Sequence, residues 1–375
     1  MTFRVGFLGG GLQGTEAACL ARWAGWRSVL ADRRPAPPAS GLADQFIHLD
    51  IASFQDLDLA FESCDLIIPA CENRAALGLL TAWGQKTGRP VAFDPEAYRI
   101  SSDKLLSNRL FRDIGIPAPR PWPEADFPLI AKPAAASGSQ GVTLLESRRD
   151  FDRLFPHGDT AGWVVEEYCP GPSFSLEVTG RPGRHQAWTT TALEMDEVHD
   201  CREVRAPADL PPEKEAEFRE ISLAIAGALS LRGLMDVEII AAPQGLRVLE
   251  IDARLPSQTP TAVYWSTGEN LLVRLAENFI EAPPQEVPWT GSRAVIYEHV
   301  AVSPDGVKAA GEHIMASAGP LTLRGDFFGA DLALTNYQPE AGSWAATLIM
   351  MDENPDALTA RRREIWTRLQ SAAGP

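Results

Sequence analysis

Residues 234–254, LMDVEIIAAPQGLRVLEIDAR, constrain this chain more than any other stretch. Two alternating runs flank Pro243-Gln244-Gly245, the chemistry of a tight hairpin with glycine at the left-handed position. A three-residue loop there sets Asp236 opposite Asp252, Glu238 opposite Glu250 and Ile240 opposite Val248. Side chains alternate along a strand, so the four acids share one face. Met235, Val237, Ile239, Leu249 and Ile251 form the opposite, core face. Like charges placed directly opposite destabilise a hairpin, so this face calls for cations, basic neighbours or water. A hard divalent metal such as Mg²⁺, completed by phosphate oxygens, suits it best. The competing account is a solvated surface hairpin.

Composition narrows the partners. The chain has 375 residues, enough for two or three domains, and 34 basic against 50 acidic groups give a net charge of −16. That balance disfavours nucleic acid and anionic membrane surfaces. Five scattered cysteines with no C-x-x-C suggest neither a disulfide framework nor a zinc site. With no signal-peptide pattern and no membrane-length apolar run, a soluble cytoplasmic protein is expected.

Strands at 3–8, 27–31, 66–70 and 91–93 alternate with helices at 13–24 and 74–87, which predicts a parallel doubly wound sheet over 1–95. Pro117, Pro119, Pro121, Pro123, Pro128 and Pro133 then force an extended connection. Short strands at 129–132, 142–145, 163–167 and 174–179 follow, as in an antiparallel sheet. Helices are expected at 213–231 and 356–370, with a linker at 281–288. In the last 90 residues His299, Lys308 and Asp326 carry chemistry, though core or surface roles are expected of each.

Gly9-x-Gly11-x-x-Gly14 follows the first strand, opens a helix and is trailed by Asp32 at the next strand end. This is the dinucleotide fingerprint, and alone it balances an NAD-dependent oxidoreductase against mere close packing of helix on strand. Lysine is scarce, so Lys104 at a helix start and Lys132 inside an apolar strand stand out as phosphate cations. An edge-strand lysine is the plain alternative for Lys132. Ser137-Gly138-Ser139-Gln140-Gly141 beyond it suits a backbone phosphate cradle or a simple turn. Glu166-Glu167-Tyr168-Cys169 ends a strand where backbone groups can meet an adenine edge.

These pieces, in this order, resemble the ATP-grasp superfamily to about residue 285. The resemblance implies an α/β chain: a Rossmann-like domain at 1–95, an α+β ATP-grasp domain at 96–285 with a lid near 115–180, and a β-rich C-terminal domain at 286–375. It implies that Lys104, Lys132, Ser137, Gly138, Ser139 and Gly141 meet the ATP phosphates, while Glu166, Glu167, Tyr168 and Cys169 hold adenine. Glu238, Glu250 and Asp252 would bind two Mg²⁺ ions, with Arg254 at the transferring phosphoryl group. Asp252 stands where many members have Asn, and Ser173 where many have a ribose-binding Glu. The start GFLGGGLQGTEAACLA and the run Leu249–Asn270 are most similar to the pyrrolysine-biosynthesis branch. That branch implies ligation of 3-methyl-D-ornithine to the ε-amine of L-lysine through an acylphosphate. Glu72 is then expected at a lysine ammonium, Glu177 and Asp236 at the ornithine amines, and Ser257 or Thr259 at a carboxylate, with Leu12 and Ser175 also expected in the substrate site. Alternatives are another ATP-grasp amino-acid ligase or carboxylase, the oxidoreductase, or a non-catalytic nucleotide module. The oligomeric state stays open, a homodimer being one option.

Overall fold

A computed structural model describes residues 2–135, 138, 140–281, 283–284 and 292–372. Strands Arg4–Leu8, Arg27–Asp32, Gln45–His48 and Leu66–Pro69 form a parallel sheet in the order 45–48, 27–32, 4–8, 66–69. Arg4–Leu8, Arg27–Asp32 and Leu66–Pro69 are mostly buried and read as near-continuous apolar runs, which is why the doubly wound pattern is visible in the sequence. Gln45–His48 is short, partly exposed and not among the expected strands. The expected fourth strand at 91–93 is reduced to a single bridge between Val91 and Ile67. Helix Leu12–Trp23 lies against the sheet, and a Cβ on Gly14 would sit 2.2 Å from the Gly9 carbonyl oxygen. Glycine there permits the close helix–strand contact. This layer shares a core with helices Thr259–Thr267 and Leu271–Ala276 through Phe7, Leu20, Leu30, Val263 and Leu272.

The proline-rich segment is not extended throughout: it turns at 121–125, where the Glu124 and Ala125 N–H groups donate to the Pro121 carbonyl. It then enters a small antiparallel sheet of Thr143–Leu145, Leu129–Pro133 and Trp163–Glu167. Helix Arg148–Leu154 covers it, with Leu129, Phe151, Phe155 and Val165 between them.

The remaining strands join one sheet of eleven among the described residues. Its path runs from Gly245–Asp252 through Gly233–Ala242, Ser173–Arg181, Thr191–Met195 and Cys201–Ala206. It continues into Ala294–Ser303, Trp344–Asp352, Ala330–Thr335 and Thr322–Phe327. Cys201–Ala206 pairs directly with Ala294–Ser303, so the sheet crosses the sequence boundary expected at 285/286 without a break. Of the linker expected at 281–288, residues 282 and 285–288 lie outside the described residues. Helix Pro212–Ala228 packs Phe218 and Ile225 on one part of the sheet, and helix Pro355–Ala372 packs Leu358, Ile365 and Leu369 on another.

The acidic hairpin departs from its expected geometry in an informative way. The loop has two residues, because Ala242 pairs with Gly245, and Ile240 faces Arg247 rather than Val248. A β-bulge at Leu249 adds one residue to the second strand and restores the pairs Glu238–Glu250 and Asp236–Asp252. Leu249 is therefore half-buried outside the core, whereas Leu246, Val248 and Ile251 fill it.

Candidate active site

Strand Ser173–Arg181 pairs with Gly233–Ala242 so that Glu177 stands beside Asp236 and Ser175 beside Glu238. With the hairpin, this makes two rungs on one face: Glu177–Asp236–Asp252 and Ser175–Glu238–Glu250. The Ser175 hydroxyl donates to Asp236. Lys104 Nζ lies 2.9 Å from Glu250, and Arg254 lies 2.6 Å from Asp252. Arg254 also pairs with Glu72, which accepts from Gln13 Nε2 at 3.2 Å. Asp236, Glu238, Glu250, Asp252 and Arg254 border a cavity of about 150 Å³, whose lining also carries Leu193, Met195, Ser257, Thr259 and Glu312.

Burial and crowding disfavour charge here. Burial, then Glu177, pushes Asp236 well above the usual carboxylate range; burial, then Asp236 and Glu250, does the same to Glu238. Burial also raises Asp252 to about 7, its pull exceeding that of Arg254. Glu177, fully buried, is pushed up to about 7 by burial, the Thr259 side chain beside it opposing the rise in part. An all-oxygen set held in this state is suited to a hard divalent cation.

Lys132 is 8% exposed, yet it keeps its charge. Burial opposes the ammonium, but Glu166 and Glu250 hold its pKa above the ordinary value. Its Nζ lies 2.7 Å from Glu166 and donates to the Leu249 carbonyl at 3.3 Å. The bulge thus turns a backbone acceptor towards this lysine. Glu166 also accepts from Asn108 at 3.2 Å. Asn108 sits one turn after Lys104 on helix Lys104–Asp113, a spacing that helical periodicity alone would have flagged.

Other expected residues are placed with less convergence. Gly138 borders the cavity, Gly141 lies against Pro133, and Ser137 and Ser139 lie outside the described residues. The Glu167 carboxylate meets Arg120 at 2.6 Å and its N–H donates to the Arg120 carbonyl. The Tyr168 N–H donates to Pro128, while the Tyr168 ring is exposed and Cys169 is buried. Leu12 packs with Cys19, Leu42 and Met315 and does not line the cavity.

The family model described as an ATP-grasp domain matches residues 101–258. The 3-methyl-D-ornithine–L-lysine ligase of Methanosarcina acetivorans is 39% identical over 301 residues, covering 80% of this chain and 80% of the relative. That of Methanosarcina barkeri is 39% identical over 302 residues, again 80% of each. The chain belongs to this family of ATP-grasp ligases. Its fold is shared by the biotin carboxylase of Campylobacter jejuni, at a TM-score of 0.74 and 16% identity over 100% of this chain and 96% of the other. The ADP complex of N5-carboxyaminoimidazole synthetase from Staphylococcus aureus gives 0.71 and 17% over 98% of each.

Membership in a ligase family removes the oxidoreductase, and the geometry explains the false signal. The Asp32 carboxylate accepts the Gly10 N–H at 2.6 Å and the Arg34 guanidinium at 3.0 Å. It braces the glycine loop from within. The crevice of about 660 Å³ beside it carries Glu72, which connects that crevice to Arg254. Two residues of the ligase's cavity, Gln258 and Glu312, are absent from the sequence reading. Gln258 adopts φ +71° and its Oε1 meets His299 Nε2 at 3.2 Å, so His299 reaches the cavity wall through it. Gln258 lies inside the Leu249–Asn270 run but nothing in its pattern singles it out there, and Glu312 belongs to no motif.

Proposed function

We propose that this chain joins a 3-methyl-D-ornithine-type diamino acid to the ε-amine of L-lysine at the expense of ATP. The observation that carries the reading is the double rung of carboxylates beside one small cavity, with Lys104 paired to Glu250, Arg254 to Asp252 and Lys132 bonded to the neighbouring Leu249 carbonyl. Family membership supplies the reaction class.

Glu238, Glu250 and Asp252 are the residues that would hold Mg²⁺, and the raised proton affinity of Glu238 and Asp252 fits such a guest. Bound there, Mg²⁺ supplies positive charge for the phosphate oxygens. Lys104 and Lys132 add cations on the phosphate side, and Gly138 and Gly141 offer backbone N–H groups to the phosphates. Arg254, held between Asp252 and Glu72, faces the transferring phosphoryl group. The donor carboxylate attacks the γ-phosphorus and ADP leaves; the lysine ε-amine then displaces phosphate from the acylphosphate. Glu72 takes an ammonium of lysine, Glu177 and Asp236 the ornithine amines, and Ser257 and Thr259 a carboxylate. A small lid formed by the 129–167 sheet keeps water from the acylphosphate.

The test is phosphate release from ATP with lysine and D-ornithine, singly and together, with Mg²⁺ present or chelated. Release that needs both amino acids and Mg²⁺, with a ligated product by mass, is expected. Release independent of lysine, or none with any diamino acid, would refute the reading.

A further inference from the structure

Glu312 enters the cavity from the C-terminal part of the chain, and three consecutive backbone N–H groups hold it there. Gly311 N–H donates to Asp196 Oδ2 at 3.0 Å, Glu312 N–H to the Cys201 carbonyl at 3.0 Å, and His313 N–H to Asp200 Oδ2 at 3.0 Å. The turn 196–201 therefore grips the 311–313 segment at every step. A Cβ on Gly311 would lie 2.2 Å from Asp200 Oδ2, so the grip also needs glycine at that position. Asp196, Asp200 and His313 gather closely enough to resemble a metal cluster. Their oxygens are instead taken up by N–H donors, since Asp196 Oδ1 also accepts Val198 and Asp200 N–H at 2.9 Å. The cluster is a clamp.

What the clamp presents is a carboxylate half-satisfied from behind. Burial raises the pKa of Glu312, Ser257 and Gln258 beside it oppose that rise in part, and Oε2 is buried with no hydrogen-bond partner among the described residues. Gln258 is itself braced. His299 is buried and its pKa falls to about 3, so it is neutral; it accepts from Thr347 through Nδ1 at 2.8 Å and donates to Gln258 Oε1 through Nε2. That arrangement turns the Gln258 amide nitrogen away from His299 and leaves it for Glu312. Leu193, Met195 and Val204 add apolar surface to the mostly polar lining of the cavity that Glu312 enters. Apolar side chains beside an under-partnered carboxylate suit an aliphatic chain that carries an ammonium tip.

We propose that Glu312 receives an ammonium group of a diamino-acid substrate, so that the C-terminal part of the chain helps to select the substrate. The assignment rests on the ligase reading above. The ammonium belongs to either the ornithine-type donor or lysine, and paired analogues separate the two. D-Norvaline lacks the side-chain amine of D-ornithine, and 6-aminohexanoate lacks the α-amine of lysine while keeping the attacking one.

KM values and analogue discrimination are measured for wild type, Glu312→Gln and Gly311→Ala by phosphate release with Mg-ATP. Glu312→Gln is expected to raise KM for one of the two amino acids by about tenfold or more. Its preference over the matching analogue should shrink by a similar factor, with the KM for ATP moving less than about twofold. Gly311→Ala should shift the same KM in the same direction. Unchanged discrimination for both pairs in Glu312→Gln, with wild type active, overturns the Glu312 assignment alone, even if kcat or thermal stability falls. Wild type that turns over neither amino acid overturns the ligase reading and this assignment together.

Discussion

Asp252→Asn separates what the acidic site costs the fold from what it contributes to catalysis. Burial, partly opposed by Arg254 and reinforced by Glu250 and Glu72, raises Asp252 from 3.8 to about 7. Between the ordinary carboxylate range and about pH 7, the native state keeps a proton that the unfolded chain has released. Stability therefore falls as pH rises through that window, and the loss is complete above it. At about 1.4 kcal/mol per unit, an ionised native Asp252 costs on the order of 4 kcal/mol. That cost is already net of the 2.6 Å contact with Arg254, so asparagine, which resembles the protonated acid, recovers most of it. Arg254 keeps Glu72 as a partner. The expected net is a stabilisation of about 2–4 kcal/mol near pH 8 with divalent ions chelated. Near pH 5.5 it should vanish or reverse, because wild-type Asp252 is then mostly protonated. Urea midpoints followed by tryptophan fluorescence in chelator report the difference. Adding Mg²⁺ and ADP should stabilise wild type more than the variant, whose ligation rate should drop by about 100-fold or more. Equal destabilisation of the variant at both pH values would falsify the account of why these acids are proton-loving.

Lys132→Met should cost about 3–5 kcal/mol, because it strands the Glu166 carboxylate, which is 2% exposed. Lys132→Met with Glu166→Gln should recover most of that in a urea melt yet still bind ATP poorly; a single variant as stable as wild type contradicts the buried pair. Glu72→Gln should raise the KM for lysine by about tenfold and that for ATP far less. Equal shifts in both would mean that Glu72 serves only to hold Arg254. Gly14→Ala should destabilise by about 1–3 kcal/mol, since its Cβ meets the rigid Gly9 carbonyl; a thermal midpoint within a degree of wild type would count against the close contact.

Much of this protein is legible in local pattern. The parallel strands of the first layer are short apolar runs, and helices 12–23 and 74–87 show their period without help from the rest of the chain. The acids of the hairpin pair as their alternation implies. Helix 54–61 and the strands at 184–187, 191–195 and 201–206 are not apparent, because each is short and its apolar face is completed by distant elements. The bulge at Leu249 is equally silent: a two-residue loop and one extra residue cancel, and only the paired strands reveal both.

The sequence by itself determined which residues carry charge and which neighbours along the chain they can face. Fifty acids are written there with nothing to rank them. Tertiary structure ranked them. It set Glu177 beside Asp236 across strands 59 positions apart, brought Lys132 to the Leu249 carbonyl, and clamped Glu312 opposite the hairpin. Proton affinity and metal affinity depend on burial and on charges a few ångströms away. Those distances are closed only when separate strands and loops meet around one cavity.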